Sequence, residues 1–348
     1  VDTAHTALRG ALWLNPKERP GNRADDDGNG YVDDLRGWNF IGGADGRNVD
    51  HERLELTRLV AGCRAGQASP IATVPCQTLE LRLDSARAEA LQNQQVYRSI
   101  KPAMDSAVAT LARALGVPAD SVTLARVEGA SVPASAQRAR QQFLFLARQG
   151  ATPENLKEGL EHFDDQLRYD LNPTFDPRGI VGDTPAAGRR YGNADVTGPD
   201  AGHRTHVAGI IAAAAGQEPG QDGARGIAPG VVILPVRAVP NGDERDKDVA
   251  NAIRYAVDQG ANIINMSFGK AYSPQKATVD SAVRYAESKG VLLVHAAGND
   301  GQDADRDVSF PTPEYAGGQR AANWLEVGAS SWEPARLAAR FSNYGKRR

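Results

Sequence analysis

The fold class is set by residues 263–294, which read IINMSFGKAYSPQKATVDSAVRYAESKGVLLV. Short apolar runs at 263–266 and 291–294 enclose a segment with apolar residues at helical spacing, namely Val279, Ala282, Val283 and Ala286. That segment stops at Gly290, and glycine commonly follows the last turn of a helix. Strands that are apolar along their whole length are typical of a parallel sheet covered by helices. The pattern therefore predicts a strand, a helix and a second, parallel strand.

The same alternation extends beyond this segment on both sides. An apolar run at 231–234 is followed by a helical pattern with Val249, Ile253 and Val257, and residues 324–327 predict a further strand. We therefore predict an α/β fold for residues 181–348, with a parallel sheet flanked by helices. Chemistry in such sheets lies at the carboxyl ends of the strands, so the residues just after each strand are the first candidates for a site.

Three zones of the 348-residue chain differ in composition and in the spacing of their apolar residues. Residues 1–48 are rich in turns, residues 49–180 have the pattern of charged helices separated by prolines, and residues 181–348 carry the alternating strands and helices. A chain of this length can hold two domains, or one large domain with an insertion. We predict that the first and third zones form one domain, which a mainly helical insertion at 49–180 interrupts.

Composition and charge argue against two classes of protein. The 40 basic and 43 acidic residues give a formal net charge of −3, unlike the basic surface of a polybasic nucleic-acid binder. No apolar run approaches the length of about 18 residues that a membrane-spanning helix needs. We therefore expect neither a nucleic-acid partner nor a membrane span.

The two cysteines, Cys63 and Cys76, leave two interpretations open. They could form a local disulfide, which would indicate an oxidising compartment. They could equally be unrelated thiols in a helical region.

A helix that begins near His203 provides the first candidate for chemistry. Val207, Ile210 and Ile211 lie on one face of this helix, which indicates that the face is buried. An imidazole at the start of such a helix can act as a general base, and a capping or core role is the alternative. His203 and His206 could also share a zinc ion, but neither the Glu of a His-Glu-x-x-His arrangement nor a third ligand is near in sequence.

Two segments of mostly small residues follow predicted strands. Ala297, Gly298 and Asn299 come after the apolar run at 291–294, where Asn299 would offer an amide donor at the mouth of the strand. Ser267, Phe268 and Gly269 come after the run at 263–266, where an exposed backbone could pair with an extended peptide. The alternative is that both are ordinary turns from strand to helix.

Together these segments resemble the subtilisin-like serine proteases, the subtilases. Residues 203–209 are similar to the family's histidine motif, His-Gly-Thr-His-Val-Ala-Gly, and residues 296–299 resemble the motif that holds its oxyanion asparagine. The resemblance covers residues 1–48 and 181–348. It implies a serine endopeptidase, secreted or periplasmic, that cleaves peptides or proteins by acyl transfer. It also implies His203 as general base, Asn299 as oxyanion donor, and as substrate-binding residues Ser267, Phe268, Gly269, Ala297 and Gly298.

Two members of the family's Asp, His and Ser triad have no clear match here. Residues 1–5 fit the residues that follow the catalytic Asp, which would lie just before Val1, and Asp2 is a weak substitute. The nucleophile motif, Gly-Thr-Ser-Met-Ala, would come after a segment like 341–345. We therefore expect a fragment that does not cleave peptides by itself. Arg204 replaces the usual Gly of the histidine motif, which motivates an alternative: a non-catalytic peptide-binding protein on a degenerate subtilase scaffold.

The acidic loop at 25–34 is a candidate metal-binding segment, separate from the residues above. Asp25, Asp27, Asn29 and Asp33 match positions one, three, five and nine of a calcium loop, although Arg36 occupies position twelve, where a glutamate is expected. Many subtilases bind calcium, as the resemblance implies. We predict a structural calcium ion held by these four residues, and a solvated turn is the alternative. No catalytic cofactor is expected.

Overall fold

The computed structural model describes residues 1–71, 73–183, 188–214, 225–228, 230–333 and 335–346. They form two compact units, one of Val1–Thr73 with Pro173–Arg348 and the other of Val74–Asn172. The second unit is helical and lies within the range 49–180 that the sequence predicts for an insertion. Its bounds are narrower, because residues 49–73 and 173–180 belong to the first unit.

The described residues contain eight α-helices. They are α1 (Glu55–Arg64), α2 (Cys76–Leu115), α3 (Leu124–Gly129), α4 (Gln137–Arg148), α5 (Pro153–Asp165), α6 (Gly202–Ala212), α7 (Asp246–Asp258) and α8 (Lys276–Ser288). Short 3-10 turns lie at Thr6–Leu8, Ala119–Ser121, Ala134–Ala136 and Arg178–Ile180, and one π-helical turn continues α5 at Gln166–Asp170.

Two parallel sheets lie in the first unit. The smaller sheet pairs β1 (Trp38–Asn39) with β2 (Val236–Arg237). The larger has the order β3 (Ile263–Met266), β4 (Leu292–Ala296) and β5 (Trp324–Val327). Together with the flanking helices, these sheets confirm the predicted α/β class.

The main core of the first unit lies between helices α7 and α8 and one face of the larger sheet. The apolar residues that recur at helical spacing on both helices meet there, with Val283 and Leu293 fully buried. The other face differs from the prediction of strands buried on both sides. Alternate side chains of the sheet, Ile263, Leu325 and Val327, are each at least half exposed, because successive residues of a strand point to opposite faces.

The second unit packs α2 against α4 and α5 around an apolar core of its own that includes Met104, Leu111 and Phe143. Its helix boundaries follow local sequence signals. Thr152 begins α5 by accepting a hydrogen bond from the Asn155 amide, and Gly116 ends α2 at φ +65°. Neither α2 nor any other helix among the described residues is long and apolar enough to cross a membrane.

The structure decides between the two interpretations of the cysteines. Neither Cys63 nor Cys76 is a free thiol, and each is disulfide-bonded. This is the interpretation that indicates an oxidising compartment.

Candidate functional site

The predicted substrate-binding and oxyanion segments leave the same edge of one sheet. Strands β3 and β4 are parallel neighbours, with Ile263 paired to Leu292 and Met266 paired to His295. Residues 267–269 therefore follow β3 side by side with residues 297–299, which follow β4. This adjacency is what strand order predicts for two loops at the carboxyl ends of neighbouring parallel strands.

The segment after β3 is fixed from several directions. Ser267 Oγ accepts a hydrogen bond from Asn265 Nδ2 at 2.9 Å, and the Phe268 carbonyl accepts one from His295 Nε2 at 2.9 Å. A Cβ atom at Gly269 would collide with Ser309 Oγ, so only glycine fits there without a shift. Beyond Gly269, the backbone of Lys270 pairs in both directions with Phe310. Contacts from several sides therefore fix the backbone path of residues 267–270.

Asn343 makes three side-chain hydrogen bonds to the loop that carries Asn299. Its Nδ2 donates to the Ala297 carbonyl, and its Oδ1 accepts from the backbone amides of Asp300 and Gln302. A side chain at Gly298, which has φ +102°, would collide with Asn343 Nδ2. Asn299 itself is exposed, while Ala297 is buried. The residues on either side of Asn299 are thus hydrogen-bonded to Asn343, while the Asn299 side chain lies at the surface.

His295 lies behind both segments and is fully buried. Its Nδ1 lies 2.8 Å from Glu326 Oε1, and its Nε2 lies 2.9 Å from the Phe268 carbonyl oxygen. Trp324 Nε1 donates to the second oxygen of Glu326 at 2.8 Å. The carbonyl oxygen only accepts, so Nε2 carries a hydrogen and donates it to Phe268. The ring therefore links β5 to the segment after β3.

We expect the variant His295→Leu to lower the free energy of unfolding by about 2–3 kcal/mol, because it leaves Glu326 and the Phe268 carbonyl without their buried hydrogen-bond partner. Urea unfolding followed by circular dichroism measures this loss. The double variant with Glu326→Gln should lose less than the sum of the two single losses, since both single variants remove the same contact between the two side chains. Strictly additive losses would show that the two side chains are not coupled.

Lys270 lies at the end of the same segment in a buried cluster of charges. Its side chain is 2% exposed, and Nζ lies 2.7 Å from Glu55 Oε2 and 2.8 Å from Asp246 Oδ1. Arg58 forms a second ion pair with Glu55. Burial disfavours the charged ammonium, but Glu55 and Asp246 outweigh burial and raise the pKa of Lys270. Burial opposes ionisation of Glu55 as well, but Arg58 and Lys270 outweigh it and lower the pKa of that carboxyl.

His203 is the second residue of α6, and its side chain is exposed. Asp200 Oδ1 accepts from the Gly202 amide near the start of the helix, and Thr205 Oγ1 accepts from the Asp2 amide at 2.8 Å. Among the described residues, no hydrogen bond joins the His203 side chain to the loops after β3 and β4. The catalytic roles of His203 and Asn299 therefore stay predictions.

The buried face of α6 differs from the prediction. Ala208 and Ala212 are buried, with Ala208 packing against Leu8 and Leu12, whereas Ile210 is 54% exposed. Arg204, which replaces the motif's glycine, donates through Nη1 to the Val239 carbonyl at 3.1 Å. The guanidinium is thus held by a backbone carbonyl outside the helix.

Most of the predicted calcium ligands are engaged with the backbone of their own loop. Asp25 accepts from the amides of Asn29 and Gly30, and Asn29 Oδ1 accepts from the Tyr31 amide. Asp33 Oδ2 accepts from the Arg23 amide, and its Oδ1 has no partner among the described residues. Of the four predicted ligands, Asp27 is the one that lies in a group of converging carboxylates, and the other members of that group are Glu18 and Asp34.

The sequence patterns do not identify the roles of two residues that shape the site, His295 and Asn343. His295 directly precedes the oxyanion motif in the sequence. Its partner Glu326 lies 31 residues further along the chain, so the sequence does not reveal the pair. Asn343 was noticed only as part of the segment 341–345. In the sequence, each of the two is a polar residue next to an apolar strand or a turn. That pattern does not show which residue it contacts.

Comparison of the sequence with known proteins shows which family it belongs to. A family model described as "Subtilase family" matches residues 162–348. The chain is 42% identical over 144 residues to the thermophilic serine proteinase of Bacillus sp. (strain AK1), an alignment that covers 41% of this chain and 32% of the relative. It is 43% identical over 104 residues to thermitase of Thermoactinomyces vulgaris, which covers 30% of this chain and 36% of thermitase.

Solved structures give a similar partial match. The structure called "S41 Psychrophilic Protease" is 29% identical, with a TM-score of 0.38, over 46% of this chain and 51% of that one. The chain spans about a third to a half of the length of the curated relatives it matches.

Proposed function

The chain belongs to the subtilase family, and we propose that the protein containing it is a serine endopeptidase in which His203 is the general base and Asn299 the oxyanion donor. The observation that carries the proposal is the adjacency of two loops. Residues 267–269 and 297–299 leave neighbouring parallel strands at one edge, with Asn299 exposed beside a fixed backbone segment. A peptide strand and an amide donor can meet at such an edge.

The proposed substrate is an extended peptide or protein segment that pairs with the backbone of residues 267–269. The hydrogen bond from His295 to the Phe268 carbonyl turns that carbonyl inward and helps to fix the path of the strand. Ala297 and Gly298, the other predicted substrate-binding residues, follow β4 beside this segment. Because disulfides form in oxidising compartments, the bonded cysteines support a secreted or periplasmic location.

The chemistry of the proposed reaction is acyl transfer. A serine hydroxyl attacks the peptide carbonyl while His203 takes its proton, and His203 then gives that proton to the leaving amine. Asn299 donates a hydrogen bond to the oxyanion that forms on the carbonyl. The 348-residue sequence contains no Gly-Thr-Ser-Met-Ala motif, and the nucleophile of the proposed reaction is the serine of such a motif in the protein that contains this chain.

The test is peptide hydrolysis by the protein that carries this chain together with a serine motif. Wild type should cleave peptides, and Asn299→Ala should lower kcat by about 10²–10³-fold, the effect that loss of the oxyanion asparagine has in subtilisin. KM should change little, because the donor acts on charge that develops only in the transition state.

Asn262→Ala is the matched control, because Asn262 is an exposed asparagine just before β3, at the opposite end of the strand from the predicted site. It should retain wild-type kcat. Full activity of Asn299→Ala would refute the assigned role. A wild-type protein that binds peptides without turnover would favour the alternative, a non-catalytic binder, which the replacement of the motif's glycine by Arg204 suggests.

A further inference from the structure

Helix α1 lies outside the ranges that resemble the subtilases, but it contacts the end of the proposed peptide-binding segment, residues 267–269. The resemblance covers residues 1–48 and 181–348, and the family model matches residues 162–348. Helix α1 begins at Glu55, between these ranges. Lys270 directly follows the peptide-binding segment, and its side chain reaches Glu55. The site therefore has a neighbour that neither the motifs nor the family model includes.

Glu55 joins Lys270 to α1 through a buried ion pair. Lys270 Nζ lies 2.7 Å from Glu55 Oε2, and both side chains are at most 7% exposed. Burial opposes the charge on Glu55, but Arg58 and Lys270 outweigh burial and lower the pKa of that carboxyl, so it is ionised at neutral pH. Water screens a buried pair far less than an exposed one. Glu55 therefore restricts where the Lys270 ammonium can lie.

Arg58 ties a second segment to the same helix. Its Nη2 donates to Glu55 Oε2 and to the Glu244 carbonyl, and its Nη1 donates to the Asp243 carbonyl at 2.9 Å. Lys270 Nζ donates to the Glu244 carbonyl as well, at 2.9 Å. One carbonyl group thus accepts hydrogen bonds both from α1 and from the residue that ends the peptide-binding segment.

The backbone of Lys270 carries this constraint to the peptide-binding segment. Its amide donates to the Phe310 carbonyl at 3.0 Å, and its carbonyl accepts from the Phe310 amide at 2.8 Å. Gly269 adjoins Lys270, and a Cβ atom there would collide with Ser309 Oγ, so the two segments lie in close contact. If the Lys270 side chain is released from Glu55, one end of the peptide-binding segment loses an anchor.

We infer that Glu55 is a positioning residue for peptide binding, because its ion pair with Lys270 holds residues 267–269 in the path that pairs with an extended peptide. The inference rests on the proposed function, which assigns the substrate to that segment. A binding site needs supporting residues that hold its contact groups in place before the ligand arrives. Glu55 is buried and acts through Lys270.

Steady-state kinetics of Glu55→Gln, in the protein that carries the serine motif, tests the inference. Glutamine keeps the size of the side chain and removes its charge. KM for an extended peptide should rise by about tenfold, which corresponds to the loss of about one hydrogen bond to the peptide. kcat should stay within about twofold of wild type, since the segment holds the peptide equally well in the ground state and in the transition state.

Asp248→Asn is the matched control, because it neutralises a buried carboxylate of a separate ion-pair network. Asp248 is fully buried on α7, and its Oδ2 lies 2.7 Å from Arg178 Nη1. In both variants the cation left behind keeps a second carboxylate partner. Asp248→Asn should therefore lose a similar buried pair and leave KM at the wild-type value.

Hydrogen exchange on the 348-residue chain, resolved by residue with NMR, gives a readout that does not depend on catalysis. In Glu55→Gln, exchange at the Lys270 and Phe310 amides should accelerate about tenfold more than exchange at the Leu293 amide, which donates to the Asn323 carbonyl. A variant that lowers only the global stability would accelerate all three amides alike. Asp248→Asn should show no such difference between them.

Two outcomes would overturn the inference. One is a KM for Glu55→Gln that equals the KM of Asp248→Asn, and the other is exchange that accelerates equally at all three amides. A wild-type protein without peptide hydrolysis would instead refute the proposed function. The exchange measurement would then decide by itself whether Glu55 fixes the segment that ends at Lys270.

Discussion

Replacing His203 by alanine should lower kcat for peptide hydrolysis by about 10⁶-fold in the protein that carries the serine motif, the scale of the same loss in subtilisin. Without the imidazole, no group at the start of α6 takes the serine proton or returns it to the leaving amine. KM should change far less, because an exposed imidazole acting on the serine proton contributes little to holding the peptide. Steady-state kinetics on a chromogenic peptide measures both parameters.

His206→Ala is the control for this experiment, since His206 is also exposed and lies three residues further along α6. It should keep kcat within a few-fold of wild type. Equal losses in the two variants would favour a shared metal ion over a general base. Activity that survives His203→Ala unchanged would refute the role of His203 as the general base.

The variant Lys270→Met should destabilise the first unit by about 3–5 kcal/mol, the usual result of removing one partner from a buried ion pair. The methionine has a similar volume, so the loss comes from the carboxylates of Glu55 and Asp246, which keep their charge and lose their ammonium partner. Urea unfolding at neutral pH measures the change in midpoint and slope.

Arg47→Met provides the contrast, because Arg47 lies 2.6 Å from Asp45 but both side chains are at least half exposed. Its unfolding midpoint should match wild type within error, since water screens an exposed pair. A Lys270→Met protein as stable as Arg47→Met would show that the buried cluster tolerates an unpaired charge. The free energy of unfolding would then not depend on the burial of these pairs.

The sequence predicts the parts of this protein that depend on local patterns. Apolar runs and helical spacing identified β3, α8 and β4, and the rule that chemistry follows parallel strands placed residues 267–269 and 297–299 at one edge. The exposure of Ile263 and Ile210 was not predictable in this way. An apolar side chain reports a preference for burial, but the elements that cover it are set by tertiary packing.

The contacts that hold the site together join residues distant in sequence, and no local pattern reveals them. Glu326 reaches His295 across 31 residues, and Lys270 reaches Glu55 across 215. The acidic loop shows the same limit at short range. Its motif predicts ligands by position, whereas the fold directs the Asp25 and Asn29 side chains to the loop backbone and places Glu18, from outside the motif, next to Asp27 and Asp34.

The bonds from Asn343 have a consequence for the order of events during synthesis. The backbone amide of Asp300 donates to Asn343 Oδ1, and Asn343 leaves the ribosome 43 residues after Asp300. Until then, the stretch that carries Asn299 has the strand before it but lacks the asparagine that closes it. A nascent chain that has finished β4 thus still has an unformed loop at that position, and the loop takes its final shape only when the segment around Asn343 docks.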